Sequence, residues 1–156
     1  MSWTERTELL LGKEQVKKLH NSHVLIVGLG GVGAYAAEML CRAGVGNLTI
    51  VDADKVEKTN INRQLPATHG NIGKRKTDIL YDRFKDINPE INIKTISKYI
   101  RDERTLEILD NNYDYVVDAI DTLAPKIYLI YHAFNMNHKI VSSMGAGGKM
   151  NPEMIK

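Results

Sequence analysis

The sequence predicts an α/β fold, a doubly wound and mainly parallel sheet with helices on both faces. Two observations carry that prediction. Short apolar, β-branched runs alternate along the chain with segments of helical period, the order of βαβ units rather than of hairpins. The first run opens directly into GLGGVG at residues 28–33, where Gly28, Gly30 and Gly33 hold the spacing G-x-G-x-x-G with Gly31 inside it. The first admits a tight turn, the second lets backbone approach a phosphate, and the third lets helix pack closely on strand.

At 156 residues and 43% apolar content, the chain suits one domain with a real core. It holds no stretch of about 18 apolar residues for a membrane span and no charged-then-apolar leader, so a cytoplasmic protein is expected. Cys41 is the one cysteine, which excludes an internal disulfide or a multi-cysteine zinc site within the chain. A net charge of +2 is too small to argue nucleic-acid binding by itself. The five histidines show no metal-ligand spacing.

Residues 1–20 set Leu9, Leu10, Leu11, Val16 and Leu19 among charges, which reads as a helical N-terminal arm of two short helices, divided near Gly12 and laid on the outside of the sheet. Residues 24–28 read as a strand buried on both faces. A helix (32–43) and a second strand (48–52) complete a right-handed crossover. Cys41 on that helix is a small buried hydrophobe, with nothing near it to activate a thiolate. Asp52 stands at the end of the second strand, 19 residues past Gly33, where a carboxylate can accept a bond from a ribose hydroxyl.

Residues 54–72 carry no sustained apolar period. Loops of that length inside compact domains are usually functional, and this one leaves the C-terminal end of a strand, where ligands of open α/β sheets sit. Arg63 brings a fixed fork of donors suited to phosphate, and Asn60, Asn62 and Gln64 add neutral donors. A merely exposed loop would be polar too. Residues 73–88 form the next helix, with Lys74, Arg75 and Lys76 crowding its first turn. Cations are unfavourable there, so either an anionic partner such as a polyphosphate offsets them or the turn is simply solvated.

A strand (91–96), a short helix (101–109), a strand (113–120), a helix (123–136) and a strand (139–143) follow. Asp121, just past the fourth strand, is placed to hold Mg²⁺ together with phosphate oxygens, or else caps the following helix. Asp118 lies inside the apolar run and is the weaker candidate, bonding backbone instead. Gly145, Gly147 and Gly148 then lead to NPEMIK. The expectation is a Rossmann-like sheet truncated at the C-terminus, with residues 1–156 forming the N-terminal part of a longer protein.

Five segments in order, GLGGVG (28–33), VDAD (51–54), TNINRQ (59–64), GKRK (73–76) and DAID (118–121), make the chain resemble the ubiquitin-activating, MoeB/ThiF/HesA adenylating superfamily. Within it, RTELLLG (6–12), NINRQLPA (60–67) and SSMGAGGKMNP (142–152) are similar to the bacterial tRNA threonylcarbamoyladenosine dehydratases. The resemblance implies a domain that uses ATP and Mg²⁺ to activate a carboxylate as an acyl adenylate. In the dehydratases that carboxylate belongs to threonylcarbamoyladenosine in tRNA. The side chain's own nitrogen or oxygen attacks the activated carbonyl, expelling AMP and closing a ring, with proximity in its favour and no cysteine required.

Carried over residue by residue, Gly28, Gly30, Gly31 and Gly33 would admit the ATP phosphates and Asp52 would hold the ribose. Asn60, Arg63 and Lys76 would contact phosphates, with Gln64 in a supporting place, and Asp121 would bind Mg²⁺. Arg6 matches an arginine that reaches the active site of the neighbouring subunit, which implies a homodimer. Relatives that activate the C-terminal glycine of a ubiquitin-like sulfur carrier share these ATP-binding residues, so a sulfur-carrier or sulfur-transfer protein is the alternative partner. RTELLLG and NINRQLPA favour the tRNA enzyme. A nicotinamide-dependent oxidoreductase shares the glycine spacing, but it needs no clamp on a γ-phosphate, and the polar loop and basic turn argue against it.

Overall fold

The computed structural model describes residues 2–101, 103–145, 147–148, 150–151 and 153. The strands are β1 (His23–Val27), β2 (Asn47–Val51), β3 (Asn92–Ile96), β4 (Tyr115–Asp118) and β5 (Ile140–Ser142). The helices are α1 (Glu5–Leu11), α2 (Lys13–Asn21), α3 (Gly33–Ala43), α4 (Lys76–Ile87), α5 (Glu103–Leu109) and α6 (Leu123–Asn135). The strands make one sheet in the order β3-β2-β1-β4-β5, and every neighbouring pair is parallel.

Alternation along the central strands divides the core in two, because successive side chains leave opposite faces. Val24 and Ile26 of β1 join Leu48 and Ile50 of β2 beneath Ala34, Ala37 and Cys41 of α3 and Leu80 and Phe84 of α4. Leu25 and Val27 join Val51 and Val116 on the other face, under Ile108 and Leu109 of α5 and Leu129 and Ala133 of α6. Covering helices on both faces explain why β1 and β2 carry near-continuous apolar sequence. The chain winds outward from β1 through β2 to β3, then crosses over and winds through β4 to β5. Between β1 and β4 the order reverses, and the strand ends there open a crevice.

The arm differs from expectation in one half. The two helices divide at Gly12 as predicted, and Leu19 of α2 packs on the core. Helix α1 buries nothing: Leu9 and Leu10 are 83% and 82% exposed, so it does not lie on the sheet. The 54–72 segment is not structureless. It makes two 3-10 turns, Lys58–Asn60 and His69–Asn71, and Lys55 pairs with Arg75 in an antiparallel bridge. Strand β4 is shorter than the apolar run because only Tyr115–Asp118 meet partners on β1. Ala146, Lys149 and Pro152 of the 142–152 motif lie outside the described residues.

An ion cluster unseen in the sequence ties α3 to α4. Glu38 is 5% exposed and accepts from Arg42 Nε at 2.9 Å and from Arg83 Nη2 at 3.1 Å. The Arg83 bonds hold the Glu38 carboxyl below its ordinary value, against the opposing effect of burial. A depressed carboxyl contributes stability that is present above the ordinary glutamate value of 4.5 and is lost as pH falls through the lower, folded value. Glu38→Gln should therefore flatten the acid limb of a plot of melting temperature against pH. An acid limb as steep as that of the unaltered protein would remove Glu38 from the account.

Candidate functional site

Val27 of β1 and Asp118 of β4 are register partners at the last rung of their ladder, so Gly28 and Ala119 leave the sheet side by side. Gly28 has φ +90°, and a Cβ there would sit 2.6 Å from the Ala119 carbonyl oxygen. At Gly33 a Cβ would lie 1.8 Å from the Gly28 carbonyl oxygen. Packing alone demands glycine at both. Gly30 and Gly31 are different: a Cβ would come no nearer than 3.7 Å to Gln64 Nε2 and 3.6 Å to the Arg63 carbonyl oxygen. The fold does not need that room. It lies before the first turn of α3, where Val32 offers no side-chain cap, and the unpaired amides of a helix start attract an anion.

The acids after β2 brace this turn. Asp52 Oδ2 accepts from the Leu29 amide at 2.7 Å, and Oδ1 accepts from the Asp54 amide at 2.7 Å. Burial pushes the Asp52 carboxyl above its ordinary value, opposed by those two amides and by Lys76. Lys76 is buried at the start of α4, with Nζ 3.1 Å from Asp54 Oδ2 and 4.0 Å from Asp52 Oδ2. One cation and two carboxylates thus converge behind the glycine turn. Asp54 was not singled out from the sequence, although the second acid of VDAD was its signal.

The polar loop covers the other side. The Arg63 side chain lies over Gly31, its Cγ 3.7 Å from the position a Cβ would take. Its Nη1 donates to the Thr59 carbonyl at 3.0 Å and to Asn62 Oδ1 at 2.9 Å, leaving Nη2 and Nε of the fork. Gln64 sits against Gly30, and its buried Oε1 has no hydrogen-bond partner among the described residues. A buried amide oxygen left without a donor is uncommon, and the Nε2 of the same amide lies 3.7 Å from the position a Cβ of Gly30 would take. Asn60 Oδ1 accepts from the Glu57 amide at 3.0 Å, which shapes the loop and leaves the Asn60 Nδ2 donors.

Asp121 is exposed, and among the described residues its one side-chain hydrogen bond is accepted from Thr122 Oγ1 at 3.4 Å. Asp118 is fully buried, and one of its oxygens accepts from the Ile120 amide at 3.1 Å, so it is a structural group. Among the described residues no three of His, Cys, Asp and Glu cluster to hold a metal. Arg6 is not brought to this site. It lies on α1, whose neighbour Thr4 packs 3.5 Å from the Cβ position of Gly44, beyond the far end of α3.

The three cations of GKRK separate. Helix α4 starts only at Lys76, with Arg75 at its cap position, so they do not crowd one turn. Asp54 and Asp52 offset Lys76 within the chain itself. Lys74 and Arg75 instead line an outer cleft of about 480 Å³ with Lys55, Asp78 and Asp82. Cys41 is fully buried and its thiol is pushed up to about 11 by burial, which leaves no thiolate to accept an acyl group. Among the described residues no helix is long and apolar enough to cross a membrane.

The tRNA threonylcarbamoyladenosine dehydratase of Bacillus subtilis (strain 168) is 42% identical over 147 residues, or 94% of this chain and 58% of that protein. The crystal structure of Escherichia coli tRNA N6-threonylcarbamoyladenosine dehydratase, TcdA, in complex with ATP matches with a TM-score of 0.92 at 35% identity. That match covers 96% of this chain and 62% of the other, so the chain spans well under the full length of either relative. A probable molybdopterin-synthase adenylyltransferase of Gracilaria tenuistipitata var. liui is 36% identical over 130 residues, 83% of this chain and 36% of its own length. The ThiF family matches residues 5–156. Since that match runs through every site residue placed above, from Arg6 to Asp121, the chain belongs to the ThiF family.

Proposed function

We propose that residues 1–156 form the ATP-binding adenylation domain of a cytoplasmic tRNA threonylcarbamoyladenosine dehydratase that works as a homodimer with Mg²⁺. The room over Gly30 and Gly31, walled by Arg63 and Gln64 at an uncapped helix start, carries this reading. The names of the relatives supply the substrate class. Phosphates lie over the two open glycines, and Asp52 meets the ribose. A carboxylate oxygen of the threonylcarbamoyl group attacks the α-phosphorus and pyrophosphate leaves with the cleaved P–O bond. The side chain's own nitrogen or oxygen then attacks the activated carbonyl, the ring closes, and AMP departs with the oxygen lost from the carboxylate. Arg63, Asn60 and Lys76 donate to the charge that builds on the phosphates.

Asp121 fits a magnesium ion, which needs only one or two carboxylates beside phosphate oxygens. When bound, that ion would screen phosphate charge and orient the leaving group. Asp121→Asn should weaken Mg²⁺-dependent ATP binding by about tenfold or more and leave nucleotide binding without Mg²⁺ unchanged. A magnesium titration identical to that of the unaltered protein would remove Asp121 from the site. The homodimer belongs to the same reading: Arg6 lies on α1, whose neighbour Thr4 packs against Gly44 beyond the far end of α3, and a second copy would deliver it to the site. The exposed leucines of α1 supply an apolar surface for that contact.

The test is AMP release by the full-length protein given ATP and tRNA carrying threonylcarbamoyladenosine. Release should require the modified base, and tRNA lacking it should be inert. A ubiquitin-like sulfur carrier with a C-terminal glycine is the comparison substrate. If the carrier drives AMP release and the modified tRNA does not, the tRNA reading is wrong and the sulfur-carrier alternative replaces it.

A further inference from the structure

Lys126 is the fourth residue of α6, on the face that also buries Leu129 and Ala133. A lysine 5% exposed on an apolar helix face is rare unless its charge is paired and bonded. Here all three ammonium hydrogens have an acceptor. Nζ lies 2.5 Å from Asp118 Oδ2, 2.8 Å from the Ser143 carbonyl oxygen and 3.3 Å from Ser142 Oγ. Ser142 Oγ in turn donates to the same Asp118 oxygen. One side chain from α6 therefore grips the last residue of β4, the last residue of β5 and the first residue beyond it.

We propose that Lys126 is a positioning residue for the nucleotide end of the site, acting through Asp118 on the turn that carries Asp121. The second oxygen of Asp118 accepts from the Ile120 amide, one residue before Asp121. The Ala119 amide donates to the Val27 carbonyl at 2.9 Å, and the Ala119 carbonyl packs against Gly28. Residues 118–120 are thereby locked to the glycine turn, and Lys126 orients the carboxylate that closes the lock. The Ser143 amide donates back to the Asp118 carbonyl at 2.9 Å, so the same node sets where the chain leaves β5.

Stability alone does not account for this arrangement. A buried ion pair replaced as a whole by apolar residues of similar volume often leaves a protein as stable or more so. An apolar pair cannot aim a carboxylate at one amide. Direction is what the pair supplies, as groups behind a metal ligand do when they orient it.

This inference rests on the reading of Asp121 as the Mg²⁺ residue, and the experiment separates the two. In the full-length protein, ATP binding is titrated with Mg²⁺ for the unaltered protein, Asp121→Asn, the double variant Asp118→Leu with Lys126→Met, and Lys126→Arg. The double variant should melt within a few degrees of the parent, yet its half-saturating Mg²⁺ should rise about tenfold or more, by a larger factor than any change in Mg²⁺-free nucleotide binding. Lys126→Arg keeps a cation and folding, but its planar fork cannot meet the same three acceptors. It should fall between parent and double variant, and it decides the matter if the double variant does not fold. A parent-like Mg²⁺ dependence in either variant, beside a shifted Asp121→Asn, overturns the role of Lys126 alone. If Asp121→Asn does not shift, the Mg²⁺ reading of Asp121 fails and the role of Lys126 fails with it.

Discussion

Replacing Arg63 by alanine should lower carboxylate activation on the order of 10²–10³-fold, the loss typical of removing one donor aimed at developing charge. Melting temperature should hardly move, because the residue is exposed and its bonds to Thr59 and Asn62 are local. The split is the diagnostic part. If ATP binding and turnover persist while the protein melts early, Arg63 staples its own loop and does nothing at the phosphates. The same variant tests the dimer. Mixed with Arg6→Ala, it should regain activity after subunit exchange, since a mixed dimer holds one site with both arginines intact. Exchange confirmed by mass but without recovered activity would show that the two residues serve the same chain's site, or no shared one.

Gly33→Ala should damage the fold, and Gly30→Ala should damage only the ligand. At Gly33 the added methyl would lie 1.8 Å from a backbone oxygen of the glycine turn, with no flexible side chain to give way. A loss on the order of 3 kcal/mol follows from overpacking, and the melting temperature should drop by about 10 °C in a chain of this size. At Gly30 the methyl meets Gln64 Nε2 at 3.7 Å, an ordinary contact, and φ there is not positive. Stability should then change by less than about 0.5 kcal/mol. ATP affinity should nevertheless fall at least tenfold, because the methyl occupies the room assigned to phosphate. Unimpaired ATP binding by Gly30→Ala would mean that the space belongs to nothing.

Both variants turn on glycines that look alike in GLGGVG. Their spacing announces a turn that approaches an anion, and no more than that. Which of them the protein needs for itself depends on Ala119, 91 positions after Gly28 and brought beside it only by the pairing of β1 with β4. The basic GKRK segment shows the same limit. As sequence it is three adjacent cations. In the fold, the bridge between Lys55 and Arg75 and the start of α4 at Lys76 turn one cation inward to Asp52 and Asp54 and leave the others on an outer cleft.

What the sequence determined by itself is everything that periodicity and local geometry carry. Apolar runs of strand length alternating with helical segments required a parallel sheet with covered faces. Gly28, Gly33 and Asp52 marked the end of the sheet where the strand order reverses, and Gly12 marked the break between the first two helices. Only the tertiary structure decided what depends on partners distant in the chain: that Lys126 finds Asp118, Ser142 and Ser143, that Arg83 holds Glu38, and that α1 stays off the sheet. Buried charges must be paired to be tolerated. The pairing is set by which strand ends lie side by side, and no local pattern of residues encodes that.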